Sequence, residues 1–201
     1  MSAREFPDDV YPESCSRLPV PNRDDLPEFA QQMYDYFHTP DSGTYAGIRG
    51  PGCPRLYSPE LLRLSIPVSR YVRYESGMPD DVRELAILVT GRAFDSQFEW
   101  TAHEPAALKV GVPKSTVDIV RDRLPTDGLP EAHDVVISLG RCIWEDRKTV
   151  PKELYRRAMD LWGPQLLMDI LWLMGNYAWT AGIIATFNIQ VHPEKEPLLP
   201  E

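Results

Sequence analysis

An all-α domain is what this sequence predicts, on three observations. After residue 58 apolar residues recur at three- and four-residue spacing, run after run. No stretch alternates with period two over a useful length, so a strand-based fold has no support. Pro, Ser or Asp stands ahead of the apolar runs, where helix starts are expected.

The elements follow in chain order. Residues 1–23 are rich in proline and acids, and residues 23–37 read as a short helix with Leu26, Phe29, Met33 and Phe37 on one side. Residues 39–54, TPDSGTYAGIRGPGCP, carry too much Gly and Pro for regular structure and form a connector. Its GIRGPG is not a phosphate loop, because no Gly-Lys-Ser/Thr follows and no strand precedes it. Ser58 and Glu60 open a helix through Leu61, Leu62, Leu64 and Ile66, which Pro67 kinks or restarts. Pro79 and Asp80 suit the first turn of the next, with Val82, Leu85, Ala86, Leu88 and Val89 turned inward. A third helix spans about 95–110 and stops at Gly111 and Pro113; a fourth carries Val117, Ile119 and Val120. Further helices are expected at about 130–145, 151–162 and 164–189. The domain reading is an N-terminal arm over 1–54, a helical body over 55–190 and a tail over 191–201.

Bulk properties narrow the function classes. At 201 residues the chain suits one domain with an arm, enough to bury roughly 70% of its unfolded surface. A net charge of -9 argues against a phosphate-backbone partner, so nucleic acid is not expected. Cys15, Cys53 and Cys142 are few, odd in number and far apart, as in a reduced, cytoplasmic protein. The start lacks the basic flank and apolar run of a signal peptide. Residues 170–191 contain no charge, which raises the membrane question; Asn176, Thr180, Thr186, Asn188 and Gln190 interrupt them, so a buried core helix is the better reading and no membrane is expected.

Chemistry concentrates in one polar set. Glu84 precedes Ser96, Glu99 and His103, and the last three stand at i, i+3 and i+7, so they share one helix face and can meet one bound molecule. Glu84 approaches from the preceding helix. Blander readings stand beside this one: an i, i+4 Glu and His pair can be a surface contact, Glu84 can be tied to Arg83 or Arg92, Ser96 can cap its helix in competition with Asp95, and Trp100 can be packing. A zinc-protease reading of His103-Glu104 fails, since Ala107 stands where a second histidine is needed and Pro105 intrudes. Glu84, Glu99 and His103 would also suit a two-carboxylate, one-histidine metal set, a weaker reading; no metal or other cofactor is expected. Ser96 lies about 10 Å from His103 along the helix axis, too far for nucleophile and base.

The run RELAILVTGRAFDSQFEWTAHEPAALKVGV, with Arg83, Glu84, Glu99-Trp100, His103, Ala106 and Gly111, resembles the carboxymuconolactone decarboxylase family, which includes alkylhydroperoxidase D-like proteins. The segment GNYAWTAGIIATFNI looks like the closing helix of longer members. The resemblance covers about residues 58–189. It implies an all-helical homo-oligomer, a trimer or hexamer, with a small-molecule substrate near the Glu and His. The expected catalytic residues are Glu84, Glu99 and His103, with Ser96, Trp100 and one or other of Arg83 and Arg92 as substrate-binding candidates.

One departure matters. The hydroperoxidase branch carries a Cys-x-x-Cys pair where this chain has Ser96 and Glu99. Peroxide reduction by that route needs one thiolate to attack and a second thiol to resolve the sulfenic acid, and neither residue can do this. The expectation is therefore a cofactor-independent lyase or isomerase on a small organic acid or lactone, with a non-catalytic ligand-binding or accessory oligomer as the alternative. Because the arm is long and apolar and residues 170–191 are uncharged, subunit contacts are expected to cover part of both, with a dimer as the fallback state.

Overall fold

The computed structural model describes residues 5–39 and 47–200, and among these the regular structure is all helical, with no strand and a single β-bridge between Tyr11 and Ser16. The α-helices are α1 Glu28–His38, α2 Cys53–Leu56, α3 Pro59–Arg70, α4 Asp80–Ala93, α5 Gln97–Lys109, α6 Lys114–Arg121, α7 Glu131–Gly140 and α8 Lys152–Thr186. Most of the connector read at 39–54 lies outside the described residues; its described end, Ile48–Gly52, makes one irregular turn leading into α2. The chain forms two compact units, residues 1–68 with 182–197 and residues 69–181 with 198–201.

The first unit joins the N-terminal arm to the segment after α8. Arg17 N–H donates to the Phe187 carbonyl at 2.8 Å, Gln190 N–H donates to that of Cys15 at 2.9 Å, and His192 Nε2 meets the Arg49 carbonyl at 2.6 Å. A Pro-rich stretch cannot satisfy its own backbone in a ladder, so it takes partners from a distant part of the sequence. Ala30, Leu56 and Leu62 form a small core under Phe29, Met33, Phe37 and Ile66. Gly47, at φ +53°, is demanded by that core, because a Cβ there would stand 2.6 Å from the Phe37 carbonyl oxygen.

The second unit is built around α4. Every residue from Val82 to Gly91 is buried, Arg83 and Glu84 included, so this helix is covered nearly all round and packs against α5, α6 and α7. Glycine sets the closest crossing: a Cβ on Gly140 of α7 would fall 2.4 Å from Val89 Cγ1 of α4. Pro79, Pro113 and Pro130 precede α4, α6 and α7 in extended conformation, ending the loops where helix starts were expected.

Helix α8 is continuous except at Gly163, whose φ +63° and ψ 177° only glycine adopts readily, so the two helical stretches expected from the sequence meet there. Its later part, expected as a buried core helix, is buried along one side and reaches solvent along the other. Ile170, Leu173, Met174 and Tyr177 are buried, but Met168 is 64% exposed and Trp172 and Trp179 are each about a third exposed. Among the described residues no helix is long and apolar enough to cross a membrane.

Candidate functional site

Glu84 and His103 meet. Helix α4 brings Glu84, 3% exposed, against α5, and its Oε2 lies 2.8 Å from His103 Nδ1. The other carboxylate oxygen accepts from Arg83 Nε at 3.2 Å, and Arg83 Nη1 donates to the Arg73 carbonyl at 3.1 Å and to Asp80. This pairing is not derivable from spacing within one helix; it needs the tight turn at Phe94 and Asp95, where Asp95 takes φ +48° and Ser96 N–H donates to the Gly91 carbonyl at 2.8 Å. That turn folds α5 back alongside α4.

The electrostatics give the pair its chemistry. Burial pushes Glu84 up, but the His103 hydrogen bond and charge, with help from Arg83, outweigh it and hold the carboxyl below its ordinary range. Burial pushes His103 down further than the Glu84 bond and charge lift it, with Arg73 and Arg83 adding to the depression. The favoured state is thus a carboxylate beside a neutral imidazole. An ionised Glu84 can only accept, so Nδ1 carries the ring proton and Nε2 is left as the basic nitrogen.

Tyr177 of α8 closes this side. Its ring stands edge-on to His103, with centroids 5.1 Å apart and planes at 88°. Burial pushes its hydroxyl up to about 12, so it stays protonated and can donate. Sequence reasoning did not single out Tyr177 or Arg73. Tyr177 lies inside GNYAWTAGIIATFNI, the run that carries the second half of the family resemblance, but 74 residues from His103 no spacing rule connects them. Arg73 had no signal beyond being an arginine.

The other expected residues divide. Glu99 is buried one turn before His103 on α5, its side chain against Gly91 of α4, and its charge is felt at Tyr177. Ser96, not Asp95, takes the N-cap position of α5 in extended conformation, but its buried hydroxyl makes no capping bond and finds no hydrogen-bond partner among the described residues. Arg83 is held by Glu84, Asp80 and a carbonyl. Trp100 is fully buried in the core and donates Nε1–H to Glu104 Oε2 at 2.6 Å, which fits the packing reading. Arg92 sits eight residues beyond Glu84, about 12 Å along α4. Its Nε donates to the Arg121 carbonyl at the end of α6 at 2.6 Å and its guanidinium pairs with Asp95. There it lines an open groove of about 700 Å³ with Asp95, Gln97, Arg121, Arg123 and Leu199.

Among the described residues no three of His, Cys, Asp and Glu converge as a metal-holding set. All three thiols are buried and unbridged; burial raises Cys15 and pushes Cys53 up to about 12, while Cys142 Sγ faces the carbonyls of Lys148 and Thr149 at 3.8 Å. The groups gathered near His103 are a carboxylate hydrogen-bonded to its imidazole, a second buried carboxylate and a phenol. No family model, curated protein or solved structure matches the chain.

Proposed function

We propose that the chain is a cofactor-independent lyase or isomerase of the carboxymuconolactone decarboxylase kind, acting on a small oxygenated organic acid or lactone. The observation that carries this reading is the 2.8 Å contact between Glu84 and His103, a buried carboxylate fixing the tautomer of a largely buried imidazole. Around it the residues take roles. His103 Nε2 moves the proton, Glu84 holds the ring, Glu99 receives or returns the proton on the same helix face, and Tyr177 donates a hydrogen bond to the oxygen that gains negative charge. Arg73, whose positive charge bears on both His103 and Tyr177, favours an anionic substrate.

In an isomerisation His103 takes a proton from carbon next to a carbonyl and returns it to another carbon of the resulting enolate, with no net proton change. In a decarboxylation the C–C bond to the carboxylate breaks, its electron pair enters the conjugated oxygen system, carbon dioxide leaves, and a solvent proton passes through the imidazole to carbon. A hydroperoxidase route is not proposed, since none of the three buried thiols belongs to the set. The subunits assemble, in this reading, as a closed homo-oligomer, a trimer or its doubled hexamer, or else a dimer.

A second reading keeps the pair and drops the catalysis. The Glu84 and His103 contact also ties α4 to α5, which suits a ligand-binding or accessory subunit as well. Turnover of a panel of small unsaturated acids and lactones, followed by ultraviolet absorbance and carbon dioxide release, separates the two. Activity that His103→Gln abolishes, with mass and helicity intact, supports the enzyme; activity unchanged in that variant removes His103 from the mechanism.

A further inference from the structure

We propose that the outward face of α3 is the surface on which a second copy of this chain docks, antiparallel, about a twofold axis near Leu64. The inference rests on the assembly proposed above and names its interface. Leu61, Leu64 and Val68 of α3, with Tyr57 just ahead of the helix, are 48%, 55%, 40% and 47% exposed. Their spacing of four, three and four residues places them along one narrow line of a helix, the seam spacing of paired helices. The opposite side of α3 already has its own use, with Leu62 and Ile66 in the small core of Ala30 and Leu56. A helix with water on one side needs a single apolar face, and α3 carries two.

Charge selects a second copy as the occupant. The whole chain has a net charge of -9, yet residues 57–70 hold one Glu against two Arg, so this is a locally non-acidic face through which two acidic copies can approach. An antiparallel arrangement sets Leu64 against Leu64, Leu61 against Val68, and Glu60 of one copy beside Arg70 of the other at both ends. A parallel one sets Glu60 beside Glu60 and Arg70 beside Arg70. Among the described residues these two side chains pair with Arg63 and Glu75 and are 70% and 75% exposed, so both can turn to a partner. A twofold contact of this kind exists in a dimer or a hexamer and not in a simple trimer, which sharpens the expected state to an even number.

Analytical ultracentrifugation of the full chain across a wide concentration range tests this together with cysteine cross-linking. The wild type should sediment as a dimer or hexamer, and Leu64→Glu, which places two carboxylates together on the axis, should halve the mass with circular dichroism unchanged. Leu64→Cys should oxidise to a linked dimer. Leu61→Cys and Val68→Cys should each fail alone and link when mixed, since each residue faces the other across the axis and a disulfide requires Cα atoms about 4.4–6.8 Å apart. A monomer overturns both this interface and the proposed assembly. A simple trimer, or an even oligomer whose mass Leu64→Glu leaves unchanged, overturns the α3 interface alone, and self-linking of Leu61→Cys overturns the antiparallel arrangement.

Discussion

Helix α4 carries an acid–base contact near each end, and the two differ in everything except residue class. Toward its start Glu84 and His103 are buried, with 4% and 14% of their side chains exposed. Just beyond its end Asp95 pairs with Arg92 and Arg123 at the protein surface, with 64% of the Asp95 side chain exposed. Water screens the second group, and its charges are interchangeable with solvent. At the first, each partner is the main compensation for the other's lost hydration, so protonation states are set by geometry. Composition and spacing mark both as polar clusters; burial separates a group of altered basicity from a solvated ion network.

The largest expected effect comes from breaking the buried contact. Glu84→Ala leaves His103 Nδ1–H without its acceptor and Arg83 with only Asp80 and the Arg73 carbonyl, and should cost about 1–3 kcal/mol in urea unfolding, the range for orphaning a buried hydrogen-bonding group. A loss under 1 kcal/mol would mean that water reaches the pair and that the contrast with Asp95 is false.

Acid should separate the two ends next. The unfolded chain takes up a proton at His103 near pH 6.5, whereas the folded one holds it off to lower pH, so stability falls as pH drops below about 6.5. Glu84 acts in the same direction further down: its folded carboxyl sits below the usual value of 4.5, so the stability it supplies above that value is lost as pH falls through its folded range. Unfolding free energy measured against pH should therefore decline in two stages, and His103→Gln should shrink the upper one, leaving the share of His192, which burial also holds below its ordinary value.

A smaller, sharper test reads the imidazole itself. Glu84→Gln removes the influence that lifts His103 and leaves burial unopposed, so the His103 titration midpoint by nuclear magnetic resonance, below 6.5 in the wild type, should drop further. A rise would mean that the carboxylate is not what faces Nδ1. The smallest effect belongs to the surface: Asp95→Asn, which keeps a residue tolerant of positive φ, should change stability by no more than about 1 kcal/mol and lose even that in high salt.

Helix positions were legible in the sequence because they depend on neighbours. Pro79, Pro113 and Pro130 announce the starts of α4, α6 and α7, and Gly163 followed by Pro164 announces the bend in α8. The half of the site lying on α5 was legible for the same reason, since helical periodicity puts Ser96, Glu99 and His103 on one face. Tyr177 was not, because its place beside His103 is a product of tertiary packing between α5 and α8. Nor could spacing place Arg92, a guanidinium near the motif whose hydrogen bonds go to the end of α6 and to Asp95. The arm was legible only in part: its apolar residues called for cover, and Leu26, Phe29, Met33 and Phe37 find some of it around Ala30, Leu56 and Leu62 of the same chain, while its backbone bonds to the segment after α8. Backbone hydrogen bonds such as Arg17 to Phe187 join residues 170 apart in sequence and leave no local pattern.

Burial of all three thiols makes the chain its own opening clock. Cys15 and Cys53 lie in one compact unit and Cys142 in the other, and each is sheltered in the folded state. An alkylating reagent can label them only when the surrounding segment opens, so peptide-resolved labelling rates in native buffer would report how often each unit opens, without any engineered probe. Equal rates would describe a chain that opens as a whole; faster capture at Cys15 and Cys53 would date the loosening of the arm before that of the helices that hold His103.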